Sequence, residues 1–326
     1  MLVLADDLTG AADTGGAFAM AGHRCTVVLD HGHKPETSEL DEQHNTHVLI
    51  IDADSRAMTP RNASAATTAI VCRYAPSELF VKIDSTLRGH VRATVDAALA
   101  ALPTPPSRVV MCPAFPKASR TVLEGRVHVH GEPLDGPNLR EIFADWSAAW
   151  SDGVLLEIPD VRTDDDLSEI VRASAGTTLW VGSAGLAYHL GRARATGAGQ
   201  LAGRPPHAAL VVVVAGSQHE RTTEQVTHLA PGTTAIVAHP DSREFATQIE
   251  HAARGADGLV LTGGATARKV LEFLNIDVLE VGGEVEPGVP WAVATGPFGT
   301  ITIVTKAGGF GDALTLQRAV QFLAGP

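Results

Sequence analysis

Asp6 and Asp7 stand side by side directly after a short apolar run, and Thr9, Gly10 and an Ala-rich stretch follow them. Two negative charges therefore fall where a strand hands over to a helix, and in open α/β sheets the carboxyl ends of strands form the crevice that takes ligands. One of the pair is expected to cap the helix that starts near Thr9, but not both. The arrangement recurs. Residues 48–53 lead through Asp52 to Asp54, Ser55 and Arg56; residues 79–83, with Lys82 among them, lead to Asp84, Ser85, Thr86 and Arg88; residues 109–112 lead to Pro113, Ala114, Phe115 and Pro116. Four strands that deliver charged or polar groups at one end describe one shared crevice. Helix capping alone accounts for the Ser and Asp residues but not for Arg56 and Arg88, because the helix dipole disfavours cations at an N-terminus. Such a crevice suits a small polyhydroxylated anion, with Arg56, Lys82 and Arg88 for a carboxylate and Asp6, Asp7 and Asp84 for hydroxyls.

The C-terminal part carries a different chemistry. Ser217 follows the apolar run 210–214, Gly263, Gly264, Ala265 and Thr266 follow 258–261, and Lys306, Gly308, Gly309 and Gly311 follow 301–304. A glycine between strand and helix opens backbone N–H groups to a phosphate, and the helix N-terminus adds partial positive charge. One such turn is ordinarily only a tight turn; two in one small domain favour a nucleotide. Neither GxxxxGK[ST] nor a well-placed GxGxxG occurs, so a Walker-type NTPase and a dinucleotide-binding domain are both unsupported. Fixed charges in one half and phosphate turns in the other predict phosphoryl transfer in the cleft between them, a reaction that asks the protein mainly to position reactants and neutralise charge. Asp84 is the favoured general base, because it ends a strand among cations that keep it ionised, and Asp7 is the alternative.

These residues need elements to hold them. From residue 1 to about 194 short apolar runs alternate with helical stretches, the pattern of βαβ units on a largely parallel sheet, interrupted by a hairpin-like pair over 121–131. Residues 195–207 are rich in Gly, Ala and Pro and read as a linker, which divides the chain into a domain with the charged crevice over 1–203 and a domain with the phosphate turns over 204–326. A chain of 326 residues with 44% hydrophobic content suits two such cores. A net charge of −12 excludes a nucleic-acid footprint, and the absence of an apolar stretch of roughly 20 residues excludes a membrane-spanning helix. Cys25, Cys72 and Cys112 are odd in number and widely spaced, as reduced thiols of a cytoplasmic protein would be. No metal site is assigned. His128 and His130 would share one strand face without a third ligand, and His31, His33, His44 and His47 fall in a polar connector read as solvated loop. A homo-oligomer stays open.

The segments ADDLTGAAD, VKIDSTLRGH, CPAFPKASRT, GSAGLA, AGS at 215–217, LTGGAT, GGEVEPGVPW and TKAGGFGD run in this order through nearly the whole chain. In them the chain resembles the four-carbon acid sugar kinases, the family of D-threonate, D-erythronate and 3-oxo-tetronate kinases. The resemblance implies two three-layer α/β/α domains, the N-terminal one largely parallel and the C-terminal one mixed. It also implies ATP, with Mg²⁺ brought by its phosphates, and transfer to the terminal hydroxyl of a four-carbon sugar acid. Ser217, Gly263, Gly264, Ala265, Thr266 and Gly309 would then contact the nucleotide, and Asp6, Asp7, Arg56, Lys82, Asp84 and Arg88 the acid. The chain departs from the family in three places. Ala265 stands where Glu is usual, Gly309 stands where Asn is usual, and the polar insertion after residues 131–134 is missing. These departures leave a catalytically silent sensor of an acid sugar or nucleotide as the alternative reading.

Overall fold

The computed structural model describes every residue except 33–46, 137, 151–152, 175, 196–202, 204, 240, 243, 254, 298 and 326. His33, His44 and most of the expected linker therefore lie outside the described residues. Strands and helices run in the order β1 (Leu2–Ala5), α1 (Leu8–Met20), β2 (Arg24–Leu29), β3 (His47–Asp52), α2 (Pro60–Tyr74), β4 (Leu79–Lys82), α3 (Val91–Ala101), β5 (Arg108–Cys112), β6 (Arg120–Leu123), β7 (Arg126–Val129) and β8 (Glu132–Pro133). They continue with α4 (Leu139–Ile142), α5 (Trp146–Ala149), β9 (Leu155–Glu157), α6 (Asp164–Ala173), β10 (Thr178–Gly182), α7 (Ala184–Arg194), β11 (Val211–Ala215), α8 (Glu220–Thr227) and β12 (Thr234–Val237). The last are α9 (Phe245–Ala253), β13 (Gly258–Thr262), α10 (Gly264–Phe273), β14 (Val278–Glu286), β15 (Val289–Gly296), β16 (Gly299–Lys306) and α11 (Thr315–Ala324).

One mixed sheet of 13 strands links the two halves, in the order β12-β11-β13-β16-β15-β14-β2-β3-β1-β4-β10-β5-β9. Strands β2 to β9 form a parallel block, as do β12, β11, β13 and β16, and the antiparallel hairpin β14–β15 joins them. The expected α/β class, parallel first and mixed second, is what forms. Because β14 runs against β2 and β15 against both β14 and β16, the two parallel blocks point in opposite directions along the sheet. Six strand steps separate β13 from β1. At about 20–25° of twist per step the sheet turns through roughly 120–150° between them, enough to bring the carboxyl ends of both blocks to one side.

Helix α1 fills the bend. All its residues from Leu8 to Ala19 are buried, and it packs against α7, β14, β15 and α10. This explains its run of Gly and Ala. A Cβ on Gly15 would lie 3.0 Å from Val281 and 3.1 Å from Ile50, and one on Gly16 2.9 Å from Glu284 and 3.0 Å from Pro290. The helix begins at Leu8, one residue before Thr9, because Asp7 is the capping residue: its Oδ1 accepts the Gly10 N–H at 2.8 Å.

Three smaller expectations are corrected or met. His128 lies in β7 but His130 sits in the following turn with φ 53°, so the two do not share a strand face. His47 opens β3 rather than closing a loop, 3.0 Å from the Thr26 hydroxyl. Cys25 and Cys112 are buried and Cys72 is exposed, all with free thiols. Among the described residues no helix is long and apolar enough to cross a membrane.

Candidate active site

The charged residues read from the sequence gather in one network at the ends of β1, β3 and β4. Arg56 grips Asp6 with two hydrogen bonds, Nε to Oδ2 at 2.9 Å and Nη2 to Oδ1 at 2.7 Å, and reaches Asp7 Oδ2 through Nη1 at 2.6 Å. Arg88 grips Asp84 in the same way, at 2.9 and 2.7 Å, and Asp84 also accepts the Thr86 hydroxyl and the Thr86 N–H. These pairings resolve the conflict between cations and helix dipoles, since each arginine is bound to a carboxylate of the crevice. Burial works to raise the Asp84 carboxyl, but the hydrogen bonds from Arg88 and the charge of Arg56 outweigh it and hold the group well below the ordinary range. A carboxylate so stabilised is a weak base. The expected role of Asp84 as general base thus meets a physical objection, and its geometry is that of an anchor for two arginines. Burial raises the Asp6 carboxyl, with Arg56 opposing. Lys82 is buried, and its ammonium donates to the Ile83 carbonyl at 3.1 Å.

The glycine turns converge as well. A Cβ on Gly308 would lie 2.0 Å from Ser217 Oγ, one on Gly216 2.1 Å from Thr266 Oγ1, and one on Gly263 3.3 Å from the Ser217 side chain. Gly309 would meet the His219 ring at 3.0 Å. The turns after β11, β13 and β16 are therefore packed against one another, and part of their glycine content follows from that packing alone. Lys306 is buried and stitches the last turn together, donating to the carbonyls of Ala307 at 2.9 Å, Gly308 at 3.0 Å and Phe310 at 3.2 Å. Thr222 and Gln225 on α8 donate to the same segment. What stays open is the N-terminus of α10. Gly263 there has φ 97° and provides no side-chain cap, so the first-turn N–H groups that a helix leaves unpaired meet no cap of their own. Ala265 is exposed on that turn and Thr266 is buried behind it.

The two sets touch. A Cβ on Gly264 would lie 2.5 Å from Asp7 Oδ2 and 3.3 Å from Thr9 Oγ1, which puts the cap of α1 against the start of α10. Beside this contact is a small cavity lined by Asp7, Asp13, Lys82, Asp84 and Arg88 on one side and by Gly288, Ala307 and Phe310 on the other. Sequence reasoning passed over Asp13, Arg120 and Phe310. Arg120 lies over the Phe310 ring with its carbon Cζ 4.3 Å from the centroid, and Phe310 packs on Phe115 at 6.2 Å. The signal was present in the segments ADDLTGAAD and CPAFPKASRT, where Asp13 and Arg120 are the charged residues nearest the ends.

Residues 1–143 match the sugar-binding N-terminal domain family and residues 242–316 the nucleotide-binding C-terminal domain family, together about two thirds of the chain. Fold and matches thus define a two-part α/β protein, sugar-binding in the family of its first part and nucleotide-binding in that of its second. Over its length the chain is 29% identical to a D-threonate kinase of Cupriavidus necator, with 98% of this chain and 97% of that protein covered. It is 28% identical to a D-threonate kinase of Salmonella typhimurium, covering 99% and 98%, and 23% identical to a 3-oxo-tetronate kinase of Cupriavidus necator, covering 99% and 96%. Over nearly its whole length the chain is thus similar to four-carbon acid sugar kinases. Its fold is shared with a crystal structure from Salmonella typhimurium LT2, at TM-score 0.72 and 22% identity over 99% of this chain and 98% of that one. The Haemophilus influenzae protein HI1011 shares it too, at TM-score 0.67 and 17% identity over 98% and 99%.

Proposed function

We infer that the protein transfers the terminal phosphoryl group of ATP to the terminal hydroxyl of a four-carbon sugar acid, a tetronate or 3-oxo-tetronate. The reaction takes place in the cleft where α1 meets α10, between a sugar-binding part ending near residue 203 and a nucleotide-binding part beginning near 204. The observation that carries this reading is the approach of Asp7 to Gly264, which leaves the acid crevice and the open helix N-terminus facing one reacting volume. The α10 turn from Gly263 to Thr266, with Ser217 and Gly309 beside it, suits phosphate because its backbone donors are uncapped. Mg²⁺ arrives on the nucleotide phosphates and neutralises their charge when bound.

On the acid side the structure favours a division of labour. Arg56 and Arg88 are already committed to Asp6 and Asp84, so they shape the crevice and offer only their remaining edges. Lys82 keeps donors to spare and faces the cavity, which makes it the first cation for the substrate carboxylate. The experiment is a coupled assay of ADP release against D-threonate, D-erythronate and 3-oxo-tetronate, with neutral tetritols as controls. D-threonate comes first because the relatives of that name are the more similar ones. ADP is expected only with an acid, with Mg²⁺ present, and not after chelation by EDTA. ATP binding without any ADP formed on the full panel would select the silent sensor instead.

A further inference from the structure

Asp7, Asp13 and Asp84 line the cavity and Asp6 is tied to it through Arg56; three of these four carboxylates are spent. Asp6 holds Arg56 with both oxygens, Asp7 caps α1 and accepts Thr9 and Arg56, and Asp84 holds Arg88 and Thr86. Asp13 is different. It sits on the same face of α1 as Thr9 and Gly10, one turn further along, and all three line the cavity. Its side chain is buried to nine-tenths, and among the described residues no donor meets its buried Oδ1. An unpaired carboxylate oxygen in the interior is costly and calls for a partner that the resting protein does not supply.

The surroundings say what that partner is. Phe115, Phe310 and Gly288 close the opposite wall. Gly10 gives the approach its width: a Cβ at that position would lie 2.9 Å from Lys82 Nζ and 2.8 Å from Asp7 Oδ1. The charged groups facing Asp13 are Lys82 on β4, Arg120 on β6, Asp7 at the start of α1, Asp84 after β4 and Glu284 on β14. Burial pushes the Asp13 carboxyl up to about 6, against the pull of Lys82 and Arg120. Near neutral pH the group is then ionised yet ready to take a proton, the condition for general base catalysis.

We propose that Asp13 is the proton acceptor of the reaction, bound through its free oxygen to the hydroxyl that is phosphorylated. This rests on the kinase reading above. The hydroxyl oxygen forms the new bond to the γ-phosphorus of ATP, the bond from that phosphorus to the β,γ-bridging oxygen breaks, ADP leaves with the electron pair, and the hydroxyl proton passes to Asp13. Release of the product and exchange of that proton with solvent restore the carboxylate.

The test compares wild type with Asp13→Asn, using the four-carbon acid that the wild type turns over best. The variant should fold, bind acid and ADP by isothermal titration with affinities close to wild type, and lose about a hundredfold or more in kcat. In the wild type kcat/KM should fall as pH drops through about 6, and in the variant this limb should vanish. A variant with near-normal kcat, or one that keeps the acid limb, overturns the assignment, since the limb would then belong to the nucleotide or to another group. Asp13→Ser, small and uncharged, carries the same comparison if the amide variant does not fold. A wild type that forms no ADP with any acid of the panel fails earlier and removes the kinase reading itself; an active wild type with an active Asp13→Asn removes only Asp13.

Discussion

Asp84 and Asp13 lie in one crevice and are held in opposite electrostatic states. Asp84 trades its lost hydration for two bonds from the Arg88 guanidinium and two from Thr86, so its proton comes off easily. Asp13 loses hydration and, among the described residues, gains no partner on Oδ1. Two predictions separate them. Replacing Asp84 by Asn should free Arg88 to swing, raising KM for the acid more than it lowers kcat, as steady-state kinetics with saturating ATP would read; a loss confined to kcat would return Asp84 to the role of base. Replacing Asp13 by Asn should do the reverse to kcat and should also stabilise the protein at pH 8. The sign follows from linkage. The folded Asp13 carboxyl is raised from its unfolded value of 3.8 to about 6, so the folded state binds the extra proton, and the stability tied to that proton is full below pH 3.8 and lost as pH rises through 6. Two units correspond to about 2–3 kcal/mol as an order of magnitude. Thermal melts should show the variant above wild type at pH 8 with the gap closing towards pH 4; an unchanged or lower melting temperature at pH 8 would mean that Asp13 has a partner after all. The wild type thus sacrifices stability where it needs reactivity.

Glycines act here through whole elements, because each marks a place where two turns or helices approach. Gly308→Ala would drive a Cβ to 2.0 Å from Ser217 Oγ, inside the turns proposed to hold the nucleotide and away from the crevice. It should raise KM for ATP and leave KM for the acid nearly unchanged. Gly264→Val should damage both, since its side chain would strike Asp7 of α1, 2.5 Å from the Cβ position, as well as fill the open helix end. An effect of Gly264→Val on ATP alone would mean that α10 can retreat from α1 without disturbing the acid site. The strand-end charges behind these elements were legible from sequence because a strand's carboxyl end is local: an apolar run, then polar residues, then a helix. The helices were less so. In α1, Leu-Thr-Gly-Ala-Ala-Asp-Thr-Gly-Gly-Ala-Phe-Ala has no polar face to betray its setting, because it is buried on every side, and Asp13 in its middle reads as an ordinary solvated charge. Nor does the run GGEVEPGVPW reveal that β14 pairs with β2, some 250 residues earlier, the contact that joins both halves in one sheet. Such long-range pairing leaves no periodicity in either partner.

At the scale of the molecule, what holds the two halves in register is the seam beside α1, and the charged contact there is buried. Arg268 of α10 reaches across to β3, donating through Nη1 to Asp52 Oδ2 at 2.7 Å and to the Asp52 carbonyl at 3.3 Å, while Nη2 reaches the Asp30 carbonyl at 3.1 Å. Asp52 is fully buried, and burial pushes its carboxyl up to about 7 even with Arg268 drawing it down. A buried pair of this kind contributes little net stability, yet removing one partner leaves the other unsatisfied at a cost of about 3–5 kcal/mol. Arg268→Met should therefore lower the urea midpoint sharply, and Asp52→Leu added to it should recover most of the loss. The damage of the single variant should also depend on pH. Without Arg268 the folded state keeps its proton on Asp52 more tightly still, so stability tied to that proton, present below pH 3.8, is lost further at each step as pH rises. The gap between wild type and Arg268→Met should accordingly be wider at pH 8 than at pH 6. A gap independent of pH, or a double variant no better than the single, would show that Arg268 acts through its carbonyl contacts and packing. In that event α10 is fastened to β3 by shape, and the helix proposed to face the nucleotide owes its position to the core rather than to a buried charge.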